Sequence, residues 1–312
     1  MMRTVLLGAA RSQACRALAE RSPLVRPVVD RFVAGVTVDD VTAAARAIAT
    51  DRLVTVDHLG EDVADRAQAD TVVEAYLTLL RRLASDGLAG RVEVSIKLSA
   101  LGQGLSPARG GDLLDTDADK IALDNARRIC DSAAAAGTTV TVDMEDHTTT
   151  DSTLGIVRDL RVDHPWVGAV LQAQLRRTEG DCRALAGPGS RVRLCKGAYD
   201  EPASVAFRDR AQVDRSFVRC LKILMAGHGL PMVATHDPVL IDIARHLGRG
   251  RRFELQMLHG VRPRAQRELA AEGLAMRVYL PYGTEWYGYF MRRLAERPAN
   301  LTFFARSLLT RG

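Results

Sequence analysis

Val92-Glu93-Val94-Ser95-Ile96-Lys97-Leu98, a helical pattern over 117–135, and then Thr139-Val140-Thr141-Val142-Asp143 form the succession that decides the fold. Each of the two runs is too short for a helix, and its apolar content suits a strand covered on both faces. The same kind of run recurs at Leu53–Val56, Val167–Gln172, Val192–Cys195, Pro231–Ala234, Phe253–Met257 and Met276–Tyr279. Between the runs lie amphipathic stretches. In 69–83, for example, Val72, Val73, Tyr76, Leu79, Leu80 and Leu83 fall on one helical face. Further helices are predicted over 151–162, 180–187, 204–228, 238–247, 263–273 and 285–297. An alternating strand–helix string implies a parallel sheet with right-handed crossovers. Eight such units over residues 53–297 point to a closed barrel. Neither a GxGxxG after the first strand nor a G-x-x-x-x-G-K-[ST] loop occurs, so the common open nucleotide-binding sheets lose their support. The expected fold is α/β, a (β/α)8 TIM-like barrel over 51–312, with 1–50 as an N-terminal helical segment interrupted by Pro23 and Pro27.

Composition narrows the function. The 312 residues are 47% hydrophobic and 26% charged, with no apolar run of membrane-spanning length. The net charge of +5 is spread along the chain and aromatics are only 5%, unlike the clustered bases and stacking rings of a nucleic-acid platform. No nucleic-acid partner is expected, whereas a basic surface suits contact with an anionic membrane. Arginine dominates the bases: only Lys97, Lys120, Lys196 and Lys222 are lysines, a hint that ammonium groups are retained for a purpose. The five cysteines (Cys15, Cys130, Cys182, Cys195, Cys220) form no C-x-x-C pair. That pattern fits a reduced, intracellular chain without structural zinc. Arg3, Arg11 and Arg16 without an acid in the first 19 residues resemble a transit peptide. The helical periodicity running on through Leu24, Val28 and Phe32 favours a helix of the mature protein instead.

Barrel enzymes place their chemistry at the carboxyl ends of the strands. Here nearly every predicted strand ends in a polar group: Asp57-His58, Lys97, Asp143 with Glu145 and His147, Gln172, Arg193 with Lys196, Thr235-His236, Gln256 with His259, and Tyr279. The rim is cationic and suits an anionic or electron-rich ligand. For Lys97 and Asp143, a buried ion pair stands beside a catalytic role. Gln172, Thr235 and Gln256 could equally be satisfied core polars. His228 and His246, on helical stretches, read as packing or surface residues. In the last helix Tyr289, Arg292, Arg293 and Glu296 stand at i, i+3, i+4 and i+7, so adjacent guanidinium groups could grip a carboxylate. Two other classes compete. One is a metal-dependent hydrolase using Asp143, Glu145, His147, His236 and His259; the other is a non-catalytic anion-binding module.

The segments Asp57-x-x-Gly60-Glu61, Ser95-Ile96-Lys97-Leu98-Ser99-Ala100, Val142-Asp143-Met144-Glu145, Gln172-Ala173, Arg193-Leu194-x-Lys196-Gly197-Ala198-Tyr199, Ala234-Thr235-His236, Phe253-Glu254-x-Gln256-x-Leu258-His259-Gly260 and Tyr289-x-x-Arg292-Arg293-x-x-Glu296 run in one order to the C-terminus. With them the sequence resembles the proline dehydrogenase family, in its monofunctional form. The resemblance implies a distorted barrel that holds FAD, oxidises L-proline to Δ1-pyrroline-5-carboxylate and passes electrons to a quinone. It implies that Arg292 and Arg293 bind the substrate carboxylate, with Lys97, Asp143, Tyr289 and Glu296 completing the pocket. Glu61 would pair with Arg292 as a gate, and Tyr279 would disfavour a hydroxyl on the substrate ring. Gln172, Arg193, Lys196, Gly197, Tyr199, Thr235, His236 and Gln256 would hold FAD. Another cyclic imino acid, such as hydroxyproline, is the nearest alternative substrate. A cytoplasmic protein that reaches its quinone from a peripheral position at the inner face of the membrane is the expected setting.

Overall fold

Short strands and longer helices alternate because apolar runs in this chain are cut by capping residues and turns. The structure, a computed structural model, describes residues 29–60, 63–105 and 115–296, without the side chains of 115–116 and 292–296. Helix α1 (Val38–Ile48) precedes the barrel and opens with a capping box, in which Thr37 and Asp40 satisfy each other's backbone N–H. The barrel then runs β1 (Leu53–His58), α2 (Arg66–Ser85), β2 (Val92–Ile96), α3 (Asp115–Ala136), β3 (Val140–Val142), α4 (Thr150–Asp163), β4 (Gly168–Gln172), α5 (Thr178–Leu185), β5 (Arg191–Cys195), α6 (Arg210–Ala226), β6 (Leu230–Ala234), α7 (Pro238–Leu247), β7 (Glu254–Leu258), α8 (Pro263–Ala271), β8 (Ala275–Tyr282) and α9 (Trp286–Glu296). Asp65, Asp209 and Asp237 cap α2, α6 and α7 through their carboxylates, each worth about 1 kcal/mol.

All neighbouring strands are parallel, and β8 closes on β1. The ring is uneven: β1 and β8 are in register over six residue pairs, β3 and β4 over two. Several boundaries differ from the sequence reading, among them the following. The third strand is only Val140–Val142, the eighth runs on to Tyr282, and the sixth helix starts at Arg210 rather than 204. Asp209 supplies the side-chain cap that sets this last start. His228 lies beyond the end of α6, not on a helix.

Register separates the two faces of the barrel. Val54, Val56, Val92, Val94, Ile96, Val140, Val142, Leu194, Val233, Leu255 and Val278 are buried in apolar clusters with the surrounding helices. The alternate positions, Thr55, Asp57, Glu93, Ser95, Thr141, Arg193, Glu254, Gln256 and Arg277, are also buried, yet polar. Such residues pair in register around the ring, as in Thr55 with Glu93, Ser95 with Thr141, and Gln256 with Arg277. The lumen is therefore filled with charge and hydrogen bonds where barrels ordinarily stack branched apolar side chains.

Glu93 is the hub of the lower lumen. It accepts from Thr55 (2.8 Å) and Thr139 (2.8 Å), pairs closely with Arg191, and lies 3.6 Å from Arg193 and 3.7 Å from Arg277. Burial alone would raise its pKa, but the guanidinium charges of Arg191, Arg277 and Arg193 outweigh burial and hold it far below the usual carboxylate range. Glu254 takes two bonds from Arg277, at 2.7 and 3.0 Å. A separate apolar cluster joins Val29, Phe32 and Val33 to Tyr287, Tyr289 and Phe290 of α9. The segment before α1 thus braces the last helix.

Candidate active site

At the carboxyl end of the barrel, Asp143 follows directly from β3 and collects three donors. Arg193 Nη1 donates to its Oδ1 at 2.6 Å, Ser95 Oγ to the same oxygen at 2.8 Å, and the Tyr279 hydroxyl to Oδ2 at 2.6 Å. The Arg193 guanidinium also lies over the Tyr279 ring, 5.3 Å from its centre. Burial, followed by the nearby Asp143 and Asp57 charges, pushes the Tyr279 pKa well up. Its hydroxyl therefore remains a proton donor to Asp143. Lys97 makes its main ion pair with Asp57, at 2.8 and 2.7 Å to the two carboxylate oxygens, and lies 3.8 Å from Asp143. The Lys97–Asp143 pair considered from sequence is thus secondary to Lys97–Asp57. In the sequence Asp57 is legible as a polar strand end and as part of the Asp57-x-x-Gly60-Glu61 segment, but not as the partner of Lys97.

Next to this pair, His58 is held between Tyr76 and Tyr282, with ring centres 5.9 and 5.1 Å away. Its Nδ1 is buried without a hydrogen-bond partner. Burial, and then the Lys97 charge, lowers the His58 pKa, which keeps the ring neutral. Tyr76 ties the base of the site together: it donates to the Ser95 carbonyl (2.6 Å) and accepts from the His58 backbone N–H (3.2 Å).

A second group of side chains gathers at the ends of β4, β5 and β6. Lys196 Nζ reaches Asp214 at 2.5 Å and Asp237 at 3.1 Å. The Thr235 hydroxyl accepts from the Asp237 backbone N–H (3.1 Å). Gln172 Nε2 donates to the Glu145 carbonyl (2.7 Å). His236 Nε2 accepts from the Leu258 N–H (3.0 Å), which puts the ring proton on Nδ1. Gly197 has a φ of +103°, and a Cβ there would overlap the Gln174 side chain, so glycine is required. Tyr199, two residues on, is 37% exposed. Cys195 is half-buried beside the group, with its thiol pKa pushed up to about 11 by desolvation, as an inert packing residue would be.

The remaining predicted residues divide. Gln256 accepts from Arg193 Nε (2.7 Å) and donates to Glu254 (3.2 Å), so it links the two layers of the lumen. Tyr289 is buried on α9. The α9 backbone continues through positions 292, 293 and 296, whose side chains lie outside the described residues, as does Glu61. Ligands of the competing hydrolase are otherwise engaged: Glu145 with Ser99 and His147 with Glu201. Among the described residues no three His, Cys, Asp or Glu side chains cluster as a metal site. No helix of the described residues is long and apolar enough to cross a membrane.

The proline dehydrogenase family model matches residues 41–306. The chain belongs to the proline dehydrogenase family. Among family members, proline dehydrogenase 1 of Bacillus subtilis is 38% identical over 285 residues, covering 89% of this chain and 90% of that protein. The proline dehydrogenase of Deinococcus radiodurans is 38% identical over 293 residues, covering 90% of each. A solved structure of proline utilization A from Bdellovibrio bacteriovorus, inactivated by N-propargylglycine, superposes with a TM-score of 0.77 at 22% identity over 92% of this chain. The superposition covers 34% of that longer protein, and at this identity the likeness bears on the barrel fold. Membership in the family makes the chain an oxidoreductase.

Proposed function

We propose that the chain oxidises L-proline to Δ1-pyrroline-5-carboxylate at the carboxyl mouth of the barrel, with residues 51–312 as the catalytic unit, FAD as cofactor and a quinone as the final acceptor. The observation that carries this reading is the Asp143 cluster. Lys97, Arg193 and Tyr279 converge on the buried Asp57 and the part-buried Asp143 at the mouth of a proline dehydrogenase family barrel. The residues at the ends of β4–β6 fit FAD: Lys196, Thr235, Gln172 and the Cβ-free backbone of Gly197 offer an ammonium, a hydroxyl, an amide and a close main-chain approach on adjacent strands. Arg193, whose buried Nη2 has no hydrogen bond, adds positive charge beneath them. His236 and Tyr199 would complete that side, and Gln256 would act through Arg193. Bound there, FAD would supply a two-electron acceptor for the substrate hydride and a link to the quinone.

The chain's own residues then position and hold. Arg292 and Arg293 grip the substrate carboxylate bidentately, with Glu296 and Tyr289 on the same helix and Glu61 closing over them. Asp143 fixes Tyr279 as a rigid wall of the pocket, which favours proline over hydroxyproline. The Lys97–Asp57 pair holds an ammonium group at the mouth with its charge matched by the carboxylate. Orientation of one carbon against its acceptor is the main service such a site performs. The cytoplasmic face of a membrane, approached peripherally, is where the quinone would be met. The test is to record the visible spectrum of the purified protein and add L-proline without oxygen. A flavin spectrum that bleaches supports the reading; one indifferent to proline sinks the substrate, and a protein that takes up no FAD sinks the cofactor.

A further inference from the structure

We infer that the opposite, amino-terminal mouth of the barrel is a second binding site, for a small multiply charged anion bearing phosphate or carboxylate groups. A cavity of about 550 Å³ opens there, lined among others by Arg191, Arg251, Arg252, Arg277, Glu254 and His228. Its size is that of a small-molecule site, but its lining is cationic. Charge accounting separates the structural arginines from the rest. Arg191 is matched by Glu93 and Arg277 by Glu254, in the lower layer of the lumen. Arg251 and Arg252, from the connection between α7 and β7, have no carboxylate within ion-pair distance among the described residues.

Among the described residues Glu254 is the one acid lining the cavity, and the bidentate bond from Arg277 already occupies it. Arg251 Nη2 donates to the Gly229 carbonyl at 3.1 Å, while its buried Nε finds no acceptor. Behind the wall, Arg161 also lacks an acid among the described residues: it donates to Ser190 Oγ (3.0 Å) and to the Arg191 carbonyl (3.1 Å). A buried guanidinium N–H left unmade is costly, and converging arginines recognise phosphate and carboxylate through paired bonds. The site is distinct from the carboxyl mouth, because the Glu93–Glu254 and Asp143–Gln256 layers lie between them.

The test is calorimetric titration of the purified protein with inorganic pyrophosphate at low ionic strength. Saturable one-to-one binding is expected, unaffected by added FAD and L-proline. The affinity should fall at least tenfold in Arg251→Gln/Arg252→Gln. Should that double variant not fold, Arg252→Gln alone, at an exposed position, should still weaken binding severalfold with an unchanged melting temperature. Absence of saturable heat, an affinity indifferent to these substitutions, or competition by FAD or proline would each overturn the assignment. So would loss, in the double variant, of binding to phosphatidylglycerol vesicles when pyrophosphate gives no heat, because the anion would then be a lipid headgroup.

Discussion

Glu93→Gln tests whether the charged lumen is a balanced structure. The carboxylate is buried, pairs with Arg191, and lies within 3.7 Å of two further guanidinium groups. Glutamine preserves the shape and an acceptor for Thr55 or Thr139, but leaves Arg191 without its counter-charge. Removing one partner of a buried ion pair costs roughly 3–5 kcal/mol. For a barrel of this size that corresponds to a melting temperature lowered by about 5–8 °C. The pH dependence sharpens the test. The folded pKa of Glu93 is depressed, so the unfolded chain takes up the proton first as pH falls. Its stabilisation is fully present above the unfolded value, near 4.3, and is lost progressively below it. Thermal melts of the wild type and variant should therefore differ by a constant amount from pH 8 to pH 5 and draw together as the pH falls below about 4. A variant that melts with the wild type at pH 7, or a gap that is unchanged down to pH 3, would refute the account of Glu93 as the hub.

Four further outcomes follow from the geometry. Arg292→Met or Arg293→Met should weaken proline binding at least tenfold while FAD stays bound, read by the proline concentration needed to bleach the spectrum. Tyr279→Phe removes one of three donors to Asp143 and should cost about 1–3 kcal/mol of stability, with hydroxyproline turnover rising relative to proline in a steady-state assay. Burial, and then the Arg52 charge, lowers the His259 pKa to about 4, so the unfolded chain binds its proton first below about pH 6.5. His259→Asn should flatten the loss of stability between pH 6.5 and 4 by on the order of 2 kcal/mol. Gly260 has a φ of +73°, and a Cβ there would overlap the Arg31 carbonyl. Gly260→Ala should therefore detach the segment that braces α9, seen as faster proteolysis near residue 31 and a weaker proline response.

The barrel was legible because its outward positions obey one rule: β-branched and apolar residues at every second place, separated by helices with a single apolar face. The ring of polar strand ends was legible for the same reason, since the fold dictates where they must lie. The lower lumen was not read. Glu93, Glu254 and Arg277 sit inside runs taken as buried on both faces and Arg191 just before one, and nothing in one strand announces that its charge is matched by the next. Glu93 and Arg191 are 98 residues apart, so their pairing exists only once the ring closes. The period-two alternation of Val92-Glu93-Val94-Ser95-Ile96 carried the signal: apolar residues toward the helices, polar ones toward the lumen. A Lys97–Asp143 ion pair is one of the two readings the sequence leaves open, whereas the register of β1 against β2 brings Asp57 closer.

A charged lumen also explains how one end of the barrel can hold a reactive arrangement without cost to the other. Asp143 accepts from three side chains, and one of these, Arg193, is fixed from behind by Gln256, which is itself anchored on Glu254. The chain of bonds continues to Arg277 and, through its 3.7 Å approach, to Glu93. Each side chain in the series has its orientation set by the one below, and rigid support of this kind is what keeps catalytic groups in place. An apolar core would pack as tightly, but it could not dictate which way a guanidinium or a carboxylate points. The four cations Lys97, Arg191, Arg193 and Arg277 are met by the four acids Asp57, Asp143, Glu93 and Glu254. The lumen is thereby neutral, and the unmatched positive charge at the amino-terminal mouth comes from residues outside it, Arg251 and Arg252.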